Sequence, residues 1–290
     1  GFESIDAGQM GLRPDIEDPV MLHRAAELLS GADEVVVSCP PEKRSQWSTV
    51  LKGLGLNGEL LVPELIDLGL LRGQKNHDWP TLQVSCGALG MRNRVVKRLF
   101  DLAVAVPLVV LLSVPMLVTA LAIKIESRGP IFFRQRRVGR YNQFFNVLKF
   151  RSMYVENCDT NGHQSTLRDD ERITKIGRFI RASSIDELPQ LINVILGDMS
   201  LVGPRPHALG SRAGDQLFWE VDTQYWTRHA VKPGITGLAQ IRGFRGATEE
   251  RIDLTDRLQA DLEYLSGWTL WQDVVILVKT SSVIFHRNAF

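Results

Sequence analysis

Residues 102–123 read LAVAVPLVVLLSVPMLVTALAI, and this run decides the fold. It holds 22 residues without a charge. As one helix it would extend about 33 Å, enough to cross the hydrocarbon core of a bilayer. Two features argue against a plain span. Pro107 and Pro115 each remove a backbone donor, and Ser113 stands two residues before the second. Both flanks are also basic: Arg92, Arg94, Lys97 and Arg98 before the run, Lys124, Arg128, Arg134, Arg136 and Arg137 after it. Basic residues mark the cytoplasmic side of a membrane segment, so both ends belong on one side. The reading is a re-entrant helix broken at Ser113 and Pro115, with Ser113 satisfying backbone groups that Pro115 frees. A transmembrane helix and a buried core helix are the alternatives.

Charge follows the same geography. Residues 92–151 carry twelve Lys or Arg against Asp101 and Glu126, in a chain of net charge +1. Such a block calls for an anionic partner: lipid headgroups, nucleic acid or a phosphorylated substrate. Nucleic acid is the weakest of these, because the cations hug the apolar run and no aromatic-interleaved basic module is present. Cys39, Cys86 and Cys158 have no metal-like spacing and form no disulfide framework, which favours a reducing environment. The chain opens on Gly1 without a signal peptide, and a longer protein extending upstream is expected.

Residues 1–85 alternate helix and strand: helices over 19–30 and 43–54, strands over 34–38 and 59–62. Alternation predicts a parallel, Rossmann-like sheet. Cys39-Pro40-Pro41 stands where a Gly-rich phosphate loop would follow the first strand, so a regulatory or structural domain is expected there. Residues 265–290, with Trp268, Trp271, Phe285 and Phe290, fit an interfacial helix or a core helix. The expected fold class is an α+β catalytic domain, mainly helical, with a re-entrant membrane helix and a partial α/β Rossmann-like domain before it. The boundaries are 1–85, 86–130 (linker and membrane helix) and 131–290.

The candidate chemistry centres on Ser184-Ile185-Asp186-Glu187-Leu188-Pro189-Gln190. Ser184 and Glu187 have capping-box spacing, which makes a purely structural role a strong reading. The functional reading uses the same geometry. An Asp186 ionised by the positive end of a helix dipole can attack phosphorus, and Glu187 can hold Mg2+. Arg205, locked between Pro204 and Pro206, presents a fork for phosphate. Lys149, Arg151, Arg181, Arg228 and Arg245 are further cations for a diphosphate, each an ordinary solvated charge if taken alone. Asp198 after Gly197 would orient a basic partner or make a turn, with Gln190 in support. His207 and His229 lack metal-ligand spacing.

From Val96 onward the chain resembles the bacterial sugar transferases, or monotopic phosphoglycosyl transferases. The resemblance rests on Lys97-Arg98-Leu99-Phe100-Asp101, Phe133-Arg134-Gln135-Arg136-Arg137-Val138-Gly139, Lys149-Phe150-Arg151-Ser152-Met153 and the stretch from Arg181 to Gln190. It continues through Gly197-Asp198-Met199-Ser200, Gly203-Pro204-Arg205-Pro206 and Lys232-Pro233-Gly234-Ile235-Thr236-Gly237. It implies transfer of a sugar 1-phosphate from a nucleotide diphosphate sugar to a polyprenyl phosphate, with Asp186 as nucleophile and Mg2+ on Glu187 and Asp186. It also implies a membrane helix broken at Ser113 and Pro115, which Val114 separates here although many relatives have them adjacent. Pro206-His207-Ala208, the stretch from Gly243 to Glu249 and Asn288-Ala289-Phe290 look like the undecaprenyl-phosphate glucose-1-phosphate transferases that begin exopolysaccharide repeats. Leu238 departs from the tryptophan common at its position.

The resemblance therefore implies UDP-glucose and undecaprenyl phosphate as substrates. The enzyme would sit at the bacterial inner membrane facing the cytoplasm, with a homodimer a further expectation by resemblance to long members. UDP-galactose or a UDP-N-acetylhexosamine is the alternative donor. A membrane-anchored binding or scaffold protein, with the acidic pair merely capping a helix, is the rival from another class.

Overall fold

The computed structural model describes residues 3–29, 31–67, 79–155, 170–244 and 250–284. Its first part alternates as the sequence predicts. Helix α1 (Pro19–Leu28) starts where the Asp18 carboxylate accepts from the amides of Val20 and Met21. Strand β1 (Val35–Val37), helix α2 (Arg44–Leu54) and strand β2 (Gly58–Leu61) form one crossover unit with parallel strands. The short helix α3 (Glu64–Asp67) follows, and then β3 (Thr81–Ser85) lies antiparallel against β2. The expectation of a parallel sheet is therefore corrected at its third strand. An antiparallel neighbour satisfies the free edge of β2 without a crossover helix.

The boundary at residue 85 does not separate two cores. Met21, Leu22, Val50 and Leu54 share one cluster with Phe218, Tyr225, Trp226 and Leu254. Gly55, at φ +64°, ends α2 in the left-handed region and touches residue 230 so closely that a Cβ would stand 2.7 Å from the Ala230 Cα. Asn142 fixes the junction, donating to the Gly53 carbonyl at 2.6 Å and pairing with His229 Nδ1 at 2.6 Å.

The apolar run forms two helices. Helix α4 (Met91–Leu111) and helix α5 (Ser113–Glu126) meet at Leu112 with a bend of 58°. Pro115 removes the donor that would continue the ladder across the bend. Ser113 Oγ donates to the Val110 carbonyl at 2.7 Å, one residue before the carbonyl that Pro115 frees. Pro107, expected as a further break, lies inside continuous α4; its ring removes one bond from a 21-residue helix, and the rest of the ladder carries it. No single described helix is long and apolar enough to cross a membrane, but the bent pair meets that test of length and composition together. Ala105 and Ile123 turn inward and are buried, while Val110, Leu111, Val114, Leu117, Leu121 and Ile125 lie exposed. An apolar face this continuous on the outside of a protein marks an interaction surface.

Strands β4 (Phe132–Val138) and β5 (Phe144–Phe150) make an antiparallel hairpin in full register. Helix α6 (Lys175–Ala182) follows, capped by Thr174 Oγ1 on the Gly177 amide. A single 3-10 turn, Ile185–Glu187, leads into helix α7 (Gln190–Leu196) and strand β6 (Ser200–Val202). A small hairpin of β7 (Arg212–Ala213) and β8 (Gln216–Leu217) precedes α8 (Phe218–Val221). Strand β9 (Gly234–Thr236) lies parallel to β6 and runs into α9 (Leu238–Ile241). Helices α10 (Arg251–Ser266) and α11 (Leu270–Ile284) close the fold. In α11 Ile276 is buried while Trp271 and Val278 are exposed, so one face belongs to the core and the other is open.

A buried charge network ties these pieces to the bent helices. Lys97 Nζ lies 2.6 Å from Asp273 Oδ2 and 4.0 Å from Asp101 Oδ1. Asp101 accepts from Ser200 Oγ at 2.8 Å and from the Leu201 amide at 3.1 Å. Tyr264 Oη and Trp268 Nε1 donate to Asp273. Every member is paired, as a buried charge requires.

Candidate active site

Asp186 and Glu187 share the turn Ile185–Glu187. Ser184 precedes it at φ +57°, in the left-handed region, and its side chain makes no capping hydrogen bond. The capping-box role for Ser184 and Glu187 is therefore not formed. Glu187 turns away instead: its Oε1 lies 2.9 Å from Lys149 Nζ and 2.7 Å from an Arg205 terminal nitrogen. Burial pushes the Glu187 carboxyl up, but the Arg205 and Lys149 cations outweigh it and hold it well below the usual range.

Asp186 behaves oppositely. Burial raises its carboxyl above the ordinary aspartate value, with Lys149 the largest opposing influence, ahead of Arg181 and Arg205. The expectation that a helix dipole keeps it ionised is corrected, because α7 begins only at Gln190, beyond Pro189. The charge on Asp186 is supported by three cations and opposed by its surroundings. One acid is thus locked as an anion, and its neighbour is a poorly hydrated carboxylate.

The Arg205 loop is held by close backbone contact. The Gly203 amide donates to the Thr236 carbonyl at 2.9 Å, and the Gly234 amide donates to the Pro204 carbonyl at 3.0 Å. A Cβ on Gly203 would stand 2.4 Å from the Lys232 carbonyl, and one on Gly234 would stand 2.1 Å from the Gly203 nitrogen. The two glycine motifs therefore exist so that these chains can cross. Behind the loop, Arg228 donates to the Arg205 carbonyl at 2.9 Å and to Asp261 Oδ2 at 2.6 and 2.9 Å. An apolar cavity of about 250 Å³ runs from Leu108 and Leu112 at the helix bend to Ser184 and Glu187.

Residues 92–287 match the family model described as bacterial sugar transferase. The chain belongs to the bacterial sugar transferase family. It is 44% identical over 273 residues to an undecaprenyl-phosphate glucose phosphotransferase of Komagataeibacter xylinus, covering 89% of this chain and 50% of that protein. It is 44% identical over 186 residues to the exopolysaccharide production protein PSS of Rhizobium leguminosarum bv. phaseoli, covering 64% and 93%. A UDP-N-acetylgalactosamine-undecaprenyl-phosphate N-acetylgalactosaminephosphotransferase of Aeromonas hydrophila is 42% identical over 189 residues, covering 65% and 43%. The chain thus spans about half the length of the Komagataeibacter relative and nearly all of the Rhizobium one.

In this bacterial sugar transferase Lys149, Arg181 and Arg205 gather at the acidic pair. Arg151 and Arg228, read from sequence as phosphate ligands, are committed elsewhere. Buried Arg151 donates to the carbonyls of Ser127 and Arg128, tying the end of β5 to the end of α5. Arg228 positions Arg205 from behind. Gln190 is buried in the first turn of α7, and Asp198 sits at its far end, accepting from Asn193 Nδ2 at 3.3 Å. Arg245 lies outside the described residues. Ser113 and Pro115 stand at the helix bend.

Sequence reasoning missed Arg137. It is half-buried and donates to the Pro206 carbonyl at 3.3 Å, and its pKa is pushed down to about 10 by desolvation and by Arg205. It also missed Asp261 and the neutral His207, whose Nδ1 lies 2.9 Å from Arg228; burial and then Arg228 hold that imidazole well below its usual value. A signal existed: Arg257 and Asp261 fall on the same face of α10 as Leu254, Leu258 and Leu265, and charges on an apolar face have buried partners.

The family resemblance implies Mg2+. Among the described residues no group of three or more His, Cys, Asp or Glu gathers. Mg2+ does not need one, because it binds through one or two carboxylates together with substrate phosphates. Both ion pairs of Glu187 fall on Oε1, so Oε2 and the Asp186 carboxylate are the oxygens that fit it.

Proposed function

We propose that this protein transfers glucose 1-phosphate from UDP-glucose to undecaprenyl phosphate, at the cytoplasmic face of the bacterial inner membrane, to begin exopolysaccharide repeats. The observation that carries this reading is the position of Asp186. It stands beside a Glu187 locked by two cations, and Ser184 and Glu187 on either side of it line the apolar cavity that leads to the bent helix pair. The names of the Komagataeibacter and other glucose-transferring relatives agree with it. The helix pair is re-entrant in this reading, its exposed face lying in one leaflet.

Arg205 and Arg181 bind the diphosphate, and Arg228 and Arg137 hold the Arg205 loop in place. An Asp186 oxygen attacks the β-phosphorus, the bond to the α-phosphate oxygen breaks, and UMP leaves. Glucose phosphate stays on Asp186 as an acyl phosphate. An oxygen of undecaprenyl phosphate, its chain lying in the cavity, then attacks the same phosphorus and releases Asp186. Bound Mg2+ would neutralise charge on the transferring phosphoryl group. UMP release with undecaprenyl phosphate and Mg2+ tests the reading across a panel of donors. UDP-glucose should be the best, and failure of every UDP-sugar would contradict the reaction class. The Aeromonas relative favours one second reading, the same chemistry with a UDP-N-acetylhexosamine, which the same panel separates.

The pH profile tests the electrostatics. The nucleophile is the carboxylate, so at a fixed Mg2+ concentration the acid limb of kcat/KM reports its pKa. Lys149 is the largest group lowering that pKa. Lys149→Met should therefore move the limb to higher pH, besides lowering the rate about 10²-fold through loss of a charge aimed at the reacting phosphate. A limb that stays in place would contradict the assignment.

A further inference from the structure

The dyad precedes α7. At the other end of that helix lies a second cavity, of about 300 Å³. Arg94, Arg98, Arg140 and Lys232 line it. Arg98 donates to the last carbonyls of α7, those of Val194 and Ile195, at 2.5 and 2.8 Å. Arg94 donates to the Leu89 carbonyl at 2.7 Å, and Arg140 donates to the Tyr141 hydroxyl. Those hydrogen-bond partners are neutral, and the Asp101 and Asp198 carboxylates act on Lys232 without an ion pair to it, so the cluster keeps a net positive charge. Among the described residues none of the four forms an ion pair. The wall also contains Lys97 and Asp101, which belong to the buried network already paired with Asp273 and Ser200.

Crowding of like charges has a cost here. Burial, then Arg98 and Arg140, push the Lys232 amine down; burial pushes Arg140 down, and Arg94 adds to it. An anion placed among them would relieve that repulsion and form charge-assisted hydrogen bonds. The rest of the wall is apolar, and it includes Val95 and Leu99. Both are exposed, 51% and 63%, and both lie on the α4 face that continues to Val106 and Val110. A ligand that fits therefore has a phosphate head and an apolar chain running beside the helix.

We propose that this cavity binds the phosphate headgroup of a membrane phospholipid, with an acyl chain along Val95 and Leu99, so that a lipid anchors the base of the bent helix pair. The proposal rests on the reading that this pair lies in a bilayer. It leaves the chemistry at Asp186 untouched, so UMP release serves as an independent readout.

The test uses the whole chain in neutral detergent, with the thermal midpoint followed on adding phosphatidylglycerol, diacylglycerol of the same chains, or inorganic phosphate. Phosphatidylglycerol should raise the midpoint and the other two should not. In Arg94→Gln/Arg140→Gln the lipid concentration needed should rise about tenfold or more, with UMP release retained. A full shift by inorganic phosphate alone would overturn the lipid as the source and leave a soluble phosphate ligand. Equal shifts in variant and wild type would overturn the site. A photoreactive phosphatidylglycerol gives a readout on the wild type alone, should the double variant misfold. Labelling of α4 near Val95 and Leu99 supports the proposal, and labelling confined to other helices overturns it.

Discussion

Asp186→Asn is expected to lower the rate of UMP release by about 10⁴-fold or more, because a neutral amide lacks the anionic oxygen that attacks phosphorus to form the acyl phosphate. The fold should survive intact. The Asp186 carboxyl is raised by burial, so its charged form is disfavoured in the folded chain relative to the unfolded one. A group of this sign lends the fold no stability at neutral pH that Asn would remove. Glu187 has the opposite sign, depressed by Arg205 and Lys149 against its own burial. Its contribution is present above the unfolded carboxylate range and is lost as pH falls through the folded value. A thermal midpoint equal to or above that of the wild type, with UMP release gone, is the expected pair of results for Asp186→Asn. Unchanged turnover would remove Asp186 from the mechanism.

Asp261→Ala is expected to have the largest effect on stability. Arg228 is 1% exposed and its guanidinium meets Asp261 through two nitrogens. Without that carboxylate the charge stays buried beside Arg257, with His207, the Tyr225 hydroxyl and the Arg205 carbonyl as its remaining partners. Stranding one partner of such a pair costs about 3–5 kcal/mol. Arg228→Met/Asp261→Leu removes both charges and should recover most of that loss. It should not recover activity, because the Arg205 carbonyl would have lost its anchor. Thermal midpoints and UMP release on the two variants check both halves. A single variant as stable as the wild type would show that the pair does not hold the loop.

How much of this was legible in the sequence follows from what each feature depends on. The bend at Leu112 was legible because Pro115 and Ser113 act within their own turn of chain. Pro107 has the same chemistry, but helix continuity on both sides overrode it. The helices and parallel strands of the first 85 residues followed local periodicity. Their shared core with Trp226 and Leu254 depends on tertiary contact across 170 residues or more, and no local signal carries it.

The acidic pair was visible as two neighbours, and Lys149 and Arg205 were visible as motif residues. Their convergence on Glu187 Oε1 was not, since a sequence shows that a side chain is charged but not where it points. Arg151 and Arg228 failed as phosphate ligands for that reason. Each is a guanidinium that the fold uses on its own carbonyls or carboxylates. Gly203, Gly234 and Gly237 were read as motif letters, and only the crossing of two backbones explains why no side chain fits there.

The account turns on a phosphosugar bound to Asp186. The most direct measurement is the mass of the whole protein after incubation with UDP-glucose and Mg2+ in the absence of any acceptor, followed by peptide mapping. The account predicts a gain of one hexose phosphate on the peptide that carries Asp186, and its disappearance when undecaprenyl phosphate is added. UMP formed at full rate only with acceptor present, and no adduct on that peptide at any time, would contradict it.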